Sequence, residues 1–222
     1  MSPEVMHCLK NEMKVIWSHF ENKYLSFSPA QQAVICAEIE KMLEASKLIK
    51  AGNLLAQKFN DFYFENGDVL LNEFLQSLFD CFKQWQNHDG IELQKSIYAH
   101  TNRGTDNWFP VVLIDRKISE CKLEGDDITL YRGCDESEFE TQEFKKRQSW
   151  TSDFSIAKTF AFHHPSSRAL IEKRVVVEAV VNRNDILWDR GIESEMVLKE
   201  GFSPTSSTVA MTYDDYKAQR TA

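Results

Sequence analysis

The sequence predicts an α+β protein, with a helical N-terminal region at residues 1–90 followed by a strand-rich region at residues 91–222. Two observations support this division. Apolar residues recur at three- and four-residue spacing through the first region, as in amphipathic helices. Beyond Gly125 this spacing gives way to β-branched and aromatic runs, which are typical of strands. With 222 residues, of which 42% are hydrophobic, the chain can build one large domain, or one compact domain with a smaller helical partner.

Two helices are predicted at the start of the chain. The first has a single apolar face made of Val5, Met6, Leu9, Met13, Ile16, Trp17 and Phe20. The second begins at the capping box Ser28-Pro29-Ala30-Gln31, in which the Ser and Gln side chains cap the first turn and Pro takes the first helical position. Its apolar face is predicted to contain Val34, Ile35, Ile39, Met42 and Leu43.

Two more helices are predicted before residue 90. One covers 51–64, and the next follows a turn at residues 66–68. The apolar face of this fourth helix consists of Leu71, Phe74, Leu75, Leu78, Phe82 and Trp85. Its aromatic residues have the spacing of core packing rather than of a cofactor site. Segments 87–90 and 102–107 are predicted loops, and either could end the helical region.

The strand-rich region is predicted to open with a short helix. Pro110 begins it, and its apolar face contains Val111, Val112, Ile114 and Ile118. Segments 128–131 and 175–181 then predict strands. Between them, segment 155–162 predicts a short helix with one face made of Ala157, Phe160 and Ala161.

Composition excludes several classes of function. The formal net charge of −8 leaves no broad basic surface for nucleic acid, although a local basic groove stays open. Five cysteines, never in C-x-x-C spacing, argue against a disulfide framework and a zinc site and favour reduced thiols in a cytoplasm. Charged residues throughout segment 1–25 predict neither a signal peptide nor a membrane span, so we expect no membrane partner and a cytoplasmic location, in the producing or the target cell.

Three short motifs carry the candidate chemistry. In the first, Tyr131-Arg132-Gly133, an arginine ends a strand just before a glycine. A guanidinium there could grip a pyrophosphate with paired donors, and Gly133 would let a planar ligand approach the backbone. Taken alone, the motif favours an ordinary surface arginine at a strand end.

The second motif is Ser149-Trp150-Thr151-Ser152, at the end of a predicted strand. Residues two apart on a strand share a face, so the hydroxyls of Ser149 and Thr151 could line one cleft. Ser152 or Asp153 could at the same time cap the helix that follows.

The third motif is Glu193-Ser194-Glu195, which precedes an apolar run. On a strand, Glu193 and Glu195 would lie side by side on one face. By itself this pattern is also that of a solvated strand edge.

The order and spacing of the three motifs resemble the arginine/serine/glutamate class of mono-ADP-ribosyltransferases, which includes cholera-like and clostridial toxins, phage-encoded transferases and vertebrate ecto-enzymes. Ala157 and Phe160, downstream of the second motif, belong to the same pattern. The resemblance covers about 110–211 and does not extend over 1–90. It implies that 91–222 is the catalytic domain, an ADP-ribosyltransferase split β-sandwich with NAD, the co-substrate, in its cleft.

The resemblance also implies a role for each residue. Arg132 would anchor the NAD phosphates, and the Gly133 backbone would hold the nicotinamide carboxamide. Ser149 would position the catalytic Glu195 and the nicotinamide ribose. Glu193 would orient the acceptor, and a glutamate there usually accompanies transfer to arginine. The predicted NAD contacts are completed by Tyr131, Thr151 and Phe160.

One departure from the family pattern concerns the serine motif, where Trp150 replaces the middle Thr and Thr151 replaces the last Ser. Hydroxyl groups still stand at both ends. Segment 185–192 would be the acceptor-recognition loop, in which Trp188 and Arg190 could contact the target, although Trp188 could equally belong to the core.

The residue types suit this chemistry independently of the family. Breaking the bond between nicotinamide and ribose makes a cationic, oxocarbenium-like sugar, which a neighbouring carboxylate stabilises. A guanidinium acceptor, with a pKa above about 12, needs a second carboxylate to hold it and to help remove its proton.

Four functions therefore stay open. Transfer of ADP-ribose to protein arginine leads, followed by transfer to a nucleic-acid base, NAD hydrolysis, and a catalytically inactive binding module. The expected partners are an acceptor protein or nucleic acid, and an antitoxin or regulator. No metal is expected, because the adjacent His163 and His164 cannot readily face one ion from a regular helix or strand. The basic cluster of Lys145, Lys146, Arg147, Arg168, Lys173 and Arg174 could attract NAD or be solvated charge.

Overall fold

The computed structural model describes residues 1–46, 68–100, 112–163 and 170–221. Described residues up to Leu113 form one compact unit, and those from Ile114 onward form a second. The first unit therefore includes the helix Gly90–His100, which lies beyond the predicted boundary at residue 90. The α+β class is confirmed, because the first unit is helical and the second is built on a six-stranded antiparallel sheet.

The described helices of the first unit are α1 Pro3–His7, a π-helical turn Cys8–Glu12, α2 Trp17–Leu25, α3 Pro29–Ser46, α4 Val69–Trp85 and α5 Gly90–His100. The prediction of one continuous helix from Val5 to Phe20 is wrong, because the chain leaves the helix before α2 and Lys14 has a φ of 58°. In a helix, residues two apart point in nearly opposite directions. The break allows Met13 and Val15 both to be buried.

The predicted capping box of α3 is confirmed. The Ser28 N–H donates to Gln31 Oε1 at 2.9 Å, and the Gln31 N–H donates to Ser28 Oγ at 3.3 Å. The predicted face of α3 is buried except for Val34, which is 37% exposed. The face of α4 is buried as predicted, although Trp85 is only partly buried. Asp68 caps the first turn of α4, because its Oδ1 accepts from the Leu71 N–H. The predicted helix over 51–64 and the predicted loop over 102–107 lie outside the described residues.

The second unit contains strands β1 Asp127–Asp135, β2 Ser149–Thr151, β3 Arg174–Asn182, β4 Ile186–Asp189, β5 Glu195–Leu198 and β6 Ser206–Thr212. Its α-helices are α6 Glu136–Glu140, α7 Phe154–Phe162 and α8 Tyr213–Thr221. The strand order is β4-β5-β2-β1-β3-β6. Strand β1 pairs with β3 along its whole length, whereas its pairing with β2 consists of one residue pair, Tyr131 with Thr151. The sheet is thus two three-stranded halves joined by this pair.

The two faces of the sheet pack against different clusters. One face carries the larger apolar core, which includes Leu130, Trp150, Val177, Met196 and Phe202. Helix α7 covers part of the other face through Ala157 and Ala161, which pack with Val176. Because strand residues alternate between faces, Tyr131, Thr151 and Glu195 lie on the α7 side.

The predicted helix from Pro110 to Ile118 is wrong over its described part, since residues 112–126 contain no helix. The backbone of this segment instead bonds to distant residues. The Ile114 N–H donates to Gln148 Oε1 at 2.9 Å, and its carbonyl oxygen accepts from Gln148 Nε2 at 2.7 Å. The Ile118 N–H donates to the carbonyl oxygen of Leu187 at 2.7 Å. These bonds to residues far away in the sequence take the place of the bonds that a helix would make within its own turns.

Of the helices that the structure describes, none combines the length and the apolar character that crossing a bilayer would require.

Candidate active site

The candidate site lies where the two halves of the sheet meet. Strands β1 and β2 pair at Tyr131 and Thr151, and a side-chain hydrogen bond adds a second link between them. Arg132 Nη1 donates to the backbone carbonyl oxygen of Ser149 at 2.9 Å. The Arg132 side chain therefore contacts the backbone of the second motif, while the Ser149 hydroxyl lies on the opposite face of the sheet.

Arg132 is held by more than this bond. It is 9% exposed and lies on the face of β1 that carries Leu130 and Cys134. Its Nη2 is 3.6 Å from Glu138 Oε2, which also accepts from Arg147 Nε at 3.0 Å. One carboxylate thus serves two guanidinium groups, a charge-assisted arrangement that fixes Arg132 against β2.

Glu195 is the buried acid of the site. It begins β5 opposite Thr151 and is 5% exposed. Ser149 Oγ donates to Glu195 Oε1 at 2.6 Å, while Arg190 Nη1 lies 2.5 Å from Glu195 Oε2. Both carboxylate oxygens therefore make short bonds to side chains that orient the group. The predicted pair of Ser149 and Glu195 is brought together.

The ion pair from Arg190 to Glu195 was not part of the sequence prediction, which placed Arg190 in the acceptor loop. Its guanidinium carbon lies 5.6 Å from the ring centroid of the half-buried Trp188. The Arg190 N–H also donates to the carbonyl oxygen of Glu195 at 2.9 Å. An arginine five positions before a buried glutamate, with Gly191 between them, is the signal that could have indicated this contact.

The prediction that Glu193 and Glu195 lie side by side on a strand is wrong. Glu193 belongs to the 3-10 turn Ile192–Ser194, is exposed, and has a φ of 52°, while Ser194 has a φ of 49°. The rule that residues two apart share a face holds for extended backbone only. The turn is held by Thr151 Oγ1, which donates to the Glu193 carbonyl oxygen at 2.8 Å.

Left-handed conformations at two consecutive non-glycine residues cost about 1–3 kcal/mol each and persist when the surroundings enforce them. Besides the bond from Thr151, the Ser152 N–H donates to the Ser194 carbonyl oxygen at 3.1 Å. Strained backbone of this kind is frequent at functional sites.

Thr151 and Tyr131 both bond to protein groups. Thr151 is 6% exposed, and its Oγ1 also accepts from the Asp153 N–H at 3.1 Å. Tyr131 packs edge-on against Phe154, with 5.3 Å between ring centroids. Burial raises the pKa of Tyr131, and a charge interaction and hydrogen bond with Glu178 raise it further.

Trp150, the departure from the family pattern, lies on the opposite face from Ser149. It is 2% exposed, makes edge contacts with Phe144 and Phe202, and donates from Nε1 to the Arg147 carbonyl oxygen at 2.9 Å. Because this position faces the core, the tryptophan displaces no hydroxyl from the Ser149 side.

Gly133 is required by helix packing. A Cβ atom there would lie 2.4 Å from the carbonyl oxygen of Ala157 and 2.4 Å from the nitrogen of Ala161. The sequence interpretation attributed this glycine to the approach of a ligand, whereas in the structure it admits helix α7. Phe160, on the same helix, is half-buried.

Arg174, assigned from the sequence to the basic cluster, is 6% exposed. Its Nε donates to the Ala161 carbonyl oxygen at 2.7 Å, and its Nη2 donates to that of Phe160 at 3.1 Å. Its Nη1 lies 2.5 Å from Asp135 Oδ1. Arg174 therefore fixes the end of α7 over Gly133 and offers little charge to solvent.

The histidine pair is described at one of its two positions. His163 Nε2 forms a hydrogen bond of 2.8 Å with the Tyr216 hydroxyl, and His164, like Arg168, lies outside the described residues. Within the described segments, no group of three or more His, Cys, Asp or Glu side chains is placed to hold a metal ion.

Comparison of the chain with protein-family models, with curated proteins and with solved structures gave no match.

Proposed function

We propose that this protein is a mono-ADP-ribosyltransferase, which moves ADP-ribose from NAD to a macromolecular acceptor, protein arginine in the first instance, and releases nicotinamide. The contact that carries the proposal is the 2.6 Å hydrogen bond from Ser149 to the buried Glu195. It lies at the junction of the two halves of the sheet, where Arg132 also binds Ser149. Three residues from three separate motifs thus form one connected group.

The buried acid supplies the main catalytic effect. Glu195 lies in a largely desolvated position, where a carboxylate stabilises a developing sugar cation more strongly than it would in water. Ser149 limits the orientation of that carboxylate. The Arg132 guanidinium lies on the opposite face of the sheet from Glu195, with Leu130 and Cys134, so it would supply positive charge for the phosphates of a dinucleotide from behind the sheet junction.

The two acids of the third motif would have different roles. Glu195 is buried and faces the sheet junction, while Glu193 is exposed on the turn. An exposed carboxylate can meet an incoming guanidinium from another protein and help to remove its proton. Glu193 would therefore select the acceptor and Glu195 would assist cleavage of NAD.

The test uses labelled NAD in a cell extract, followed by protease or nuclease treatment. We expect protein-bound, hydroxylamine-sensitive label, as arginine conjugates give. Glu195→Gln should lower nicotinamide release about a hundredfold or more, since it removes charge from the position facing the sugar. Glu193→Gln should reduce labelling of the acceptor while nicotinamide release continues. Glu200→Gln, at an exposed position beyond β5, is the matched control and should behave as wild type.

The remaining outcomes separate the alternatives. Label that nuclease removes would indicate a nucleic-acid base as acceptor. Nicotinamide release without any labelled macromolecule would indicate NAD hydrolysis. If NAD neither binds nor reacts, the transferase proposal is wrong and a binding module is favoured. A partner that blocks labelling when added to the extract would identify an antitoxin or regulator.

A further inference from the structure

Arg190 presents a guanidinium, the proposed acceptor group, to the proposed catalytic carboxylate. Its Nη1 is 2.5 Å from Glu195 Oε2, and both side chains are largely buried, with exposures of 14% and 6%. The role of this contact therefore rests on the proposed function.

The position of this guanidinium is fixed by several contacts. The chain reverses through a turn in which Gly191, Glu193 and Ser194 all have positive φ values. The reversal is closed by the backbone bond from the Arg190 N–H to the Glu195 carbonyl oxygen, at 2.9 Å. The side chain then lies over the ring of Trp188. A long arginine side chain held in this way has little conformational freedom left to lose on reaction.

We propose that Arg190 is itself an acceptor, so that the protein transfers ADP-ribose from NAD to its own Arg190 within the same molecule. In this step the bond between ribose C1′ and the nicotinamide nitrogen breaks, and its electron pair leaves with nicotinamide. A bond forms between a guanidinium nitrogen of Arg190 and C1′. The proton lost from that nitrogen passes to the Glu195 carboxylate and then to water. NAD is the only other reactant.

Proximity favours Arg190 over an external arginine. A tethered group has an effective concentration on the order of millimolar or more, whereas an acceptor protein must first bind. The ribose 2′-hydroxyl would compete with Arg190 for Glu195, because both carboxylate oxygens are already engaged. The displaced guanidinium would then remain next to the reacting sugar. Once modified, Arg190 could not return to Glu195 in the same geometry, so one transfer per molecule is expected.

The experiment incubates the purified full-length protein with NAD and maps the modified peptide by mass spectrometry. We expect one ADP-ribose on the peptide that contains Arg190, at a rate per molecule that does not change when the protein is diluted. Arg190→Lys should lose this modification, and Glu195→Gln should lose it too. Arg116→Lys is the matched control, because the Arg116 side chain is 61% exposed and forms its ion pair with Asp115. It should leave labelling of Arg190 unchanged.

A mixing experiment separates transfer within one molecule from transfer between molecules. The Arg190→Lys protein supplies the intact Glu195, and the Glu195→Gln protein supplies the intact Arg190. No label on the Glu195→Gln chain is expected. Label on that chain, or label on Arg116 in place of Arg190, would overturn the inference.

Two further measurements keep the outcomes distinct. Thermal melting checks that each variant is folded, and the wild-type peptide map decides the question even if a variant is not. Agmatine, a small guanidino compound, serves as an external acceptor. If wild type releases nicotinamide and modifies agmatine while Arg190 stays unmodified, self-modification is wrong and the transferase proposal stands. If NAD is not consumed at all, both are wrong.

Discussion

The helical unit and the sheet unit bury different kinds of side chains. Among the described residues of the helical unit, Glu38 is the buried residue with a formal charge, and Lys41 pairs with it at 2.5 Å. The sheet unit buries Arg132, Arg174, Asp185 and Glu195. Burying a charge costs free energy unless a partner offsets it. The difference indicates that apolar packing organises the helical unit, whereas ion pairs set the positions of groups in the sheet unit.

The largest stability effect is expected from the apolar core of the helical unit. Phe74 is 2% exposed, and its ring centroid lies 5.7 Å from that of Phe20 and 5.3 Å from that of Phe27. Phe74→Ala should lower the free energy of unfolding by about 3–5 kcal/mol in urea denaturation. Leu25→Ala, at a position 63% exposed, should change it by less than about 0.5 kcal/mol. Equal effects would mean that this core does not hold the unit together.

A somewhat smaller loss is expected when a buried charge of the sheet unit is removed. Arg174→Met removes the donors that Arg174 supplies to Asp135 and to the carbonyl oxygens of Phe160 and Ala161. Because Asp135 is 19% exposed and partly solvated, we expect a loss of about 3 kcal/mol, near the lower end for a broken buried pair. Arg174→Lys keeps the charge but not the forked donors, so its free energy of unfolding should lie between those of wild type and Arg174→Met. If Arg174→Met were as stable as wild type, ion pairs would not hold the sheet unit in the way inferred.

The third prediction concerns the turn that carries Glu193. Thr151→Val keeps the shape of the side chain but removes the hydroxyl that bonds the Glu193 carbonyl oxygen and the Asp153 N–H. The expected loss is about 1–2 kcal/mol, and hydrogen exchange should become faster in the turn. Thr129→Val, at an exposed position of β1, should have no such effect. Unchanged exchange at residues 191–194 would show that the hydroxyl does not hold the turn.

The smallest effect is a difference in reactivity between the half-buried thiol of Cys36 and the buried thiols of Cys81 and Cys134. Burial raises the pKa of Cys134 to about 12 and raises the pKa of Cys81 as well, whereas Cys36 is half-buried and contacts the Tyr24 hydroxyl. At about pH 8, where a free thiol is partly ionised, iodoacetamide should modify Cys36 first, as read by peptide mass mapping. Early modification of Cys134 would show that its pKa is not raised.

The raised pKa of Cys134 also predicts that the stability of the protein depends on pH. The folded pKa of Cys134 lies above that of the unfolded chain, so the neutral buried thiol contributes its full stability below about pH 8.5. That contribution is lost as the pH rises toward about 12.

The helices were predictable wherever their signals are local. The capping box at Ser28 and the spacing along α4 depend on residues within one or two turns, and both match the structure. The break at Lys14 allows both Met13 and Val15 to be buried. The spacing of apolar residues along a helix does not predict such a break. Segment 112–118, the described part of the helix predicted from Pro110, was mistaken for a helix because its hydrogen-bond partners lie far away in the sequence.

The candidate site was predictable in part. The resemblance proposed Ser149 and Glu195 as partners, and the structure places them in contact. The position of Glu193 was not predictable, because it depends on left-handed backbone at residues that are not glycine. The ion pair of Arg190 depends on the same turn.

Gln148 makes the sheet unit vulnerable to a change of a single atom. The residue is 2% exposed, and its Nε2 donates to the carbonyl oxygens of Ile114 and Leu198 at 2.7 and 2.8 Å. Deamidation would replace this donor with an oxygen that faces two other oxygens and carries charge into a dry interior. Deamidation at this one position would therefore break the link that Gln148 makes between Ile114 and Leu198 of β5, with no change in backbone length or side-chain size.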